Sequence, residues 1–188
     1  NDGTLTVENG ILLNGNDQFL NISPTTSLIN NNFAIQMWCY FNTNKRQNLF
    51  NASYGDPNSI FRMQIMMDDN KFFMTIKKPD NTYASVFSKP NTFTLNKLTH
   101  LVITYNNNEY RVYIDGVNQT DLVESDLSND TILIIGNPVS NLPDSLISIN
   151  DYQIGFSIPQ NEAGTFFYGY IREVAIWSSG LDENNILR

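Results

Sequence analysis

One cysteine and one histidine occur in the 188 residues. With Cys39 alone, no intramolecular disulfide can form and no CxxC metal or redox motif exists. Cys39 lies in the apolar run FAIQMWCYF and is expected to be a buried thiol, because cysteine is among the residue types most often found inside. His100 has no Ser-His-Asp or HExxH arrangement around it, so packing or capping at a strand start is expected of it, not catalysis. Positive charge is scarce too: 11 Lys and Arg face 19 Asp and Glu, a net charge of −8. A generic DNA or RNA partner needs a basic stripe to neutralise phosphate, and an anionic membrane surface asks for the same, so neither is expected. No apolar run approaches the roughly 18 residues of a membrane span, so membrane insertion is not expected.

Alanine is nearly missing, with five residues against 28 asparagines, and helical periodicity is almost nowhere. The asparagines produce N-x-S/T sequons at Asn21, Asn51, Asn118 and Asn129. That number is what the Asn, Ser and Thr content gives by chance, so it is no sign of secretion. A chain of this length buries about 70% of its unfolded surface, enough for one core without a disulfide or metal. The first residue is Asn1 and no apolar leader follows, which suggests one domain, residues 1–188, cut from a larger protein.

Short β-rich runs recur along the chain: Leu5–Val7, Ile11–Leu13, Phe19–Ile22, Phe33–Phe41, Leu49–Ala52, Ile60–Met67, Phe72–Ile76, Tyr83–Phe87, Leu98–Tyr105, Tyr110–Ile114, Ile132–Ile135, Tyr152–Phe156 and Phe166–Trp177. Turn clusters such as YGDPN at 54–58, DDNK at 68–71 and KPDN at 78–81 separate them. Many short strands at this spacing predict an all-β sandwich or barrel. In LTHLVITYNNNEYRVYIDGVN at 98–118, Asn-rich and Asp-Gly turns predict three consecutive antiparallel strands. Leu101, Ile103 and Tyr105 share one face of the first, and Tyr110, Val112 and Ile114 alternate with Arg111 and Tyr113 on the second. The only helix expected is LDENNIL at 181–187, whose acidic first turn suits the positive end of a helix dipole.

Four stretches, in order, resemble the laminin-G-like, concanavalin A-like superfamily. They are ILLNGNDQFLNI at 11–22, NNFAIQMWCYF at 31–41, the stretch 98–118, and YQIGF at 152–156 running into FYGYIREVAIWSSGLDENNIL at 167–187. The resemblance implies a two-sheet antiparallel jelly-roll sandwich with at most a short C-terminal helix. This fold hosts lectins, adhesins, toxin receptor-binding parts, hydrolases and spacers, so it does not fix a function. Two positions depart from the family's pattern: Leu98 stands where a Trp is frequent, and Arg172 where an Asp is. A calcium ion or polar network that used that Asp cannot be held the same way. Residues 121–150 exceed the usual passage between the flanking strands and carry an extra apolar run, TILIIG. They read as an insertion that adds an edge strand or folds over one face.

The glucanases of this fold place a nucleophile and an acid/base on one strand face, about 5 Å apart. Alternation puts such carboxylates two residues apart or nearly so. No strand here carries that pair, since Glu173 is alone on its strand and Asp121, Glu124 and Asp126 fall in a loop. No enzyme activity is expected. Oxygen-rich tips at Asp68–Asn70 and Tyr54–Asn58 have calcium-binding chemistry without matching an EF-hand loop, leaving Asp56 and Asp69 as weak calcium candidates and no other cofactor.

Aromatics near turns supply the remaining lead, since sugar rings stack on tyrosine and tryptophan while Asn and Asp read hydroxyls. Tyr54, Tyr83 and Tyr168 are such residues, with Trp38 and Tyr40 on the amphipathic face of their strand. Facing sides of the two sheets are buried, so a ligand is left the outer concave face and the loop rim. The expected ligand set is Tyr54, Asp56, Asn58 and Tyr83. The expected function is a non-catalytic recognition module for a glycan or glycoprotein, beside other domains of the same chain, in a secreted, cell-surface or virion protein. The alternative is a structural or protein-interaction module of a capsid, fibre, coat or adhesin; a glycoside hydrolase stands behind both.

Overall fold

Phe33, Ile35, Met37, Cys39 and Phe41 alternate along β3 (Phe33–Phe41), and all five are fully buried in the core. Alternation sends every second side chain to the same side, so this period commits the strand to one buried face. Each large apolar side chain so buried contributes roughly 1.5–3 kcal/mol. In the computed structural model, residues 10–22, 28–29, 32–53, 63–77, 83–88, 91–106, 109–119, 134–135, 151–157 and 165–186 are described. The predicted strand Leu5–Val7 lies outside them.

The other strands are β1 (Ile11–Asn14), β2 (Leu20–Ile22), β4 (Gln47–Ser53), β5 (Met63–Asp68), β6 (Lys71–Lys77), β7 (Tyr83–Phe87), β8 (Leu98–Asn106), β9 (Glu109–Ile114), β10 (Val117–Asn118), β11 (Ile134–Ile135), β12 (Asp151–Ile154), β13 (Phe156–Ser157), β14 (Thr165–Phe166) and β15 (Tyr168–Trp177). They form a six-stranded sheet, β1-β15-β3-β8-β9-β10, a seven-stranded sheet, β11-β7-β6-β5-β4-β12-β2, and the small pair β13-β14. The pairings are antiparallel, as the jelly-roll expectation requires. Between the sheets pack Phe33, Ile35, Leu101, Ile103 and Val112 from the first, and Phe50, Ile65, Phe72, Met74 and Ile154 from the second.

The predicted meander is present as β8, β9 and β10. Asp115 (φ 50°) and Gly116 (φ 79°) turn β9 into β10, and Asp69 (φ 48°) and Asn70 (φ 61°) turn β5 into β6. Positive φ at both central residues is the hairpin geometry whose twist matches the strands it joins.

The predicted run Phe166–Trp177 is broken at Phe167, whose amide donates to the Gly155 carbonyl. Within β15, Gly169 (φ 152°) lies so close to β3 that a β-carbon there would collide with the Tyr40 carbonyl oxygen. The helix α1 begins two residues later than predicted, Glu183–Ile186 among the described residues, with Asp182 Oδ1 accepting from the Asn185 amide (2.9 Å). Its Ile186 packs with Val102 and Tyr113 on the outer side of the six-stranded sheet. Tyr113 therefore belongs to the outward set of β9, as its alternation predicts, and is nevertheless buried. Ile134 and Ile135, inside the 121–150 stretch, pair with Val86 and Ser85 as an edge strand.

Candidate functional site

A cleft opens where three connections meet at one end of the sandwich: the turn after β1, the Asn42–Arg46 loop between β3 and β4, and the passage from β14 into β15. It has a volume of about 760 Å³ and is lined by Asn14, Asn16, Thr43, Lys45, Arg46 and Tyr168, with Gly15, Asn42, Gln47, Thr165 and Phe166 completing it. Tyr168 is 44% exposed.

Hydrogen bonds fix the cleft's walls before any ligand arrives. Asn14 Oδ1 accepts from the amides of Asn16 (3.0 Å), Asp17 (3.2 Å) and Gln18 (3.3 Å), and its Nδ2 donates to Asp17 Oδ1 (2.7 Å). This is the Asx chemistry that makes asparagine a turn former. Gln47, 1% exposed, ties the other two walls together. Its Nε2 donates to the Thr43 carbonyl (2.7 Å) and its Oε1 accepts from the Tyr168 amide (2.8 Å). Asn14 pairs in register with Tyr168, and Gly15 (φ 73°) packs on that ring's root: a β-carbon at Gly15 would lie 2.7 Å from Tyr168 Cβ. Thr165 Oγ1 is buried without a partner.

Chemically, the cleft offers amides and hydroxyls that donate and accept, two cations and an exposed ring. None of its lining residues is a carboxylate, histidine or cysteine, so the paired carboxylates of a glucanase do not line the space. The set can hydrogen-bond a hydroxylated ligand and present it with a ring face and two cations.

A second, smaller groove of about 420 Å³ lies on the outer face of the six-stranded sheet, lined by Gln36, Trp38, His100, Asp115, Gly116, Glu173 and Ile186. Here two carboxylates and the lone histidine do come near one another. Asp115 is occupied on both oxygens: Oδ1 accepts from the His100 amide (2.9 Å) and Oδ2 pairs with Lys97 (2.8 Å). Glu173 pairs with Arg172 (3.4 Å) across the bulge in β15. Burial holds the His100 imidazole below its ordinary value of 6.5, against the opposing pull of Asp115 and Glu173. Trp38 stands between the His100 ring and the Arg172 guanidinium, whose carbon is 5.6 Å from the indole centroid. His100 thus packs in a row of planar groups, as expected from the sequence. Tyr40 meets Tyr170 edge-on in the same sheet.

The outer face of the seven-stranded sheet carries a row of carboxamides. Gln153 on β12 pairs with Asn51 on β4, Asn51 with Gln64 on β5, and Gln64 with Thr75 on β6. All four are buried, as is Asn48, although they face away from the core. Asn51 Nδ2 donates to Gln153 Oε1, while Asn51 Oδ1, Gln64 Nε2 and both polar atoms of Asn48 have no partner. The Asn51 sequon is therefore closed to glycosylation in the folded chain.

Of the expected ligand set, Tyr54, Asp56 and Asn58 lie outside the described residues. Tyr83 opens β7, where its backbone pairs with that of Lys77. Asp69 is exposed in its turn, its Oδ1 accepting from Asn44 Nδ2 (3.4 Å). Among the described residues no three His, Cys, Asp or Glu side chains are grouped to hold a metal ion. The cleft lies at the start of β4, whereas Tyr54 follows its end. The sequence marks Tyr168 but not its company, because Asn14 meets Tyr168 by strand pairing and Gln47 by a hydrogen bond from one sheet to the other.

The family profile described as the concanavalin A-like lectin/glucanases superfamily matches residues 14–154. No curated protein matches the sequence. Among solved structures, the CBM40 of the Ruminococcus gnavus IT-sialidase, bound to α2,3-sialyllactose, superposes with a TM-score of 0.66 at 11% identity, covering 95% of this chain and 94% of that one. Domains LG4-5 of the mouse laminin α1 chain give 0.63 at 12%, over 92% of this chain and 44% of that one. The binding domain of botulinum neurotoxin serotype D gives 0.60 at 14%, over 95% and 41%. The chain thus spans about two fifths of the toxin domain, and at these identities the likeness is one of fold. The profile covers most of the sequence, and the chain belongs to the concanavalin A-like lectin/glucanases superfamily.

Proposed function

We propose that the chain is a non-catalytic carbohydrate-binding module that takes a glycan in the cleft beneath Tyr168. The observation that carries this is an exposed tyrosine ring beside a hydrogen-bonded, amide- and hydroxyl-lined space without paired carboxylates. Hydroxyls already bond well to water, so each exchanged hydrogen bond gains only about 0.5–1.5 kcal/mol. Ring stacking on Tyr168 adds about as much again, by analogy with aromatic pairs at roughly 0.5–1.5 kcal/mol. A dissociation constant on the order of 0.1–1 mM follows, about 4–5.5 kcal/mol. Support also comes from the sialidase module, which has the same extent and was solved with a bound sugar.

Tyr54, Asp56, Asn58 and Tyr83 are proposed as a second contact patch beyond the far end of β4, with calcium required only if Asp56 or Asp69 ligates it. In this reading the module sits beside other domains of a secreted or particle-surface protein and meets a glycan or glycoprotein. None of the described helices is long and apolar enough to cross a membrane. A structural or protein-interaction role without sugar is favoured by a different observation: Ile11 and Leu12, on the edge strand β1, are 44% and 49% exposed.

NMR titration with a panel of neutral and acidic oligosaccharides, with and without chelator, tests these readings. Shifts at Thr43, Gln47 and Tyr168 that vanish in Tyr168→Ala and persist in Tyr168→Phe support the cleft. Shifts at 54–58 and 83–87 instead move the site to the second patch. Absence of any shift at about 10 mM sugar, a concentration well above the expected dissociation constant, returns the structural reading.

A further inference from the structure

We infer that the cleft selects glycans carrying an acidic group, a carboxylate or sulfate ester, with Lys45 and Arg46 holding the anion while the sugar ring lies against Tyr168. This rests on reading the cleft as a glycan site and adds the class of glycan. The chain has only 11 cations against 19 anions. Two of those cations, adjacent in sequence, line the cleft, and no acidic side chain does. Asp17, at its margin, is held by Asn14 Nδ2. A neutral sugar needs no cation, and an anion approaching a molecule of net charge −8 is repelled everywhere that positive charge is not gathered.

The geometry puts ring and charge within reach of one small ligand. Gln47 follows Arg46 directly, and its side chain is bonded to the Tyr168 amide at 2.8 Å. The cation-bearing loop and the aromatic wall are thus joined at one buried residue, and the space between them is that of a sugar or two. The loop is braced as well: the Lys45 amide donates to Thr43 Oγ1 (3.3 Å), and the Asn42 amide donates to the Tyr168 carbonyl (3.1 Å). The braced backbone spares the ordering of the loop when an anion binds, while the exposed Lys45 and Arg46 side chains still have to order.

Titration of the whole chain with lactose, 3′-sialyllactose and 3′-sulfolactose, followed by NMR and calorimetry, tests the inference. At low salt both acidic sugars are expected to bind about 5–10-fold more tightly than lactose, the preference shrinking at 0.5 M salt, where the Debye length is only a few ångström. The sialyl and sulfo arms tell a carboxylate from a sulfate ester. Lys45→Ala with Arg46→Ala should bring both acidic sugars to the affinity of lactose in a chain whose melting transition shows it folded. Equal binding of lactose and its acidic forms, or a preference that survives the double substitution, overturns the acidic-group inference and leaves the cleft a neutral-glycan site. If none of the three shifts Thr43 and Tyr168, the glycan reading of the cleft falls and this inference with it.

Discussion

The imidazole of His100 is stacked on the indole of Trp38, with ring centroids 4.5 Å apart and planes 21° from parallel. Nε2 of the imidazole is buried without a partner. Charging that ring is therefore costly in the folded chain, and burial lowers its pKa below 6.5 in spite of Asp115 and Glu173. The neutral form is the one folding favours, so the unfolded chain binds the extra proton as pH falls. His100's contribution to stability is complete above the unfolded value of 6.5 and is lost as pH falls from there toward the lower folded pKa. Urea denaturation at pH 7.5 and 5.5 should show lower stability at the acid pH. His100→Phe, which keeps a ring against Trp38, should flatten that difference, and an unchanged slope would refute the assignment.

Gln47 is the brace of the cleft. Gln47→Met keeps the side chain's bulk and removes both bonds, stranding the Thr43 carbonyl and the Tyr168 amide. At about 1–3 kcal/mol for each of the two groups left unpaired, the loss expected in chemical denaturation is about 2–6 kcal/mol, nearer the lower end because both bonds are part-buried. Glycan affinity should fall as well, even in conditions where the variant is fully folded.

Two buried polar groups should be better removed than kept. The Tyr110 hydroxyl is buried without a partner, and burial raises its pKa well above 10.0. Tyr110→Phe is expected to be neutral or to stabilise by about 1 kcal/mol, since the desolvated hydroxyl gains nothing in return. Asn48→Leu should behave alike on the outer face of the seven-stranded sheet. Destabilisation by Asn48→Leu would instead show that ordered water or a ligand hydroxyl meets that amide.

Cys39 is fully buried, and burial pushes its thiol far above the ordinary 9.0. Because the thiolate is the reactive form, a thiol reagent should leave the folded chain unmodified and label it only on opening. The labelling rate should rise with denaturant in step with loss of structure. Fast labelling in native buffer would place Cys39 outside the core.

Alternation made the fold legible, and its interruptions mark where the sequence stopped being readable. Phe33–Phe41 and Tyr83–Phe87 have the bounds their patterns predict, and the Asp-Asn and Asp-Gly pairs make the turns their chemistry favours. Between Asn48 and Phe50 the register slips by one, so Leu49 and Phe50 are both buried and the period-two pattern is lost. The second slip, between Arg172 and Ala175, leaves Glu173 at φ 50°. The cleft was legible only in part. Tyr168 is marked by being aromatic beside a turn, but Asn14 reaches it by long-range pairing and Gln47 by a hydrogen bond between sheets, which no local pattern encodes.

The lengths of the border strands bear on how such a unit coexists with others like it. β3, β8 and β15, in the middle of their sheet, have 9, 9 and 10 residues. The four borders, β1, β10, β11 and β2, have 4, 2, 2 and 3 among the described residues. A free border is a template on which a foreign strand can polymerise, and each missing rung shortens that template. At β1 and β10, whose flanking residues are described, a strand from a neighbouring copy therefore finds few rungs to pair with. β1 is the longest of these borders among the described residues, and its Ile11 and Leu12 leave apolar side chains exposed along it.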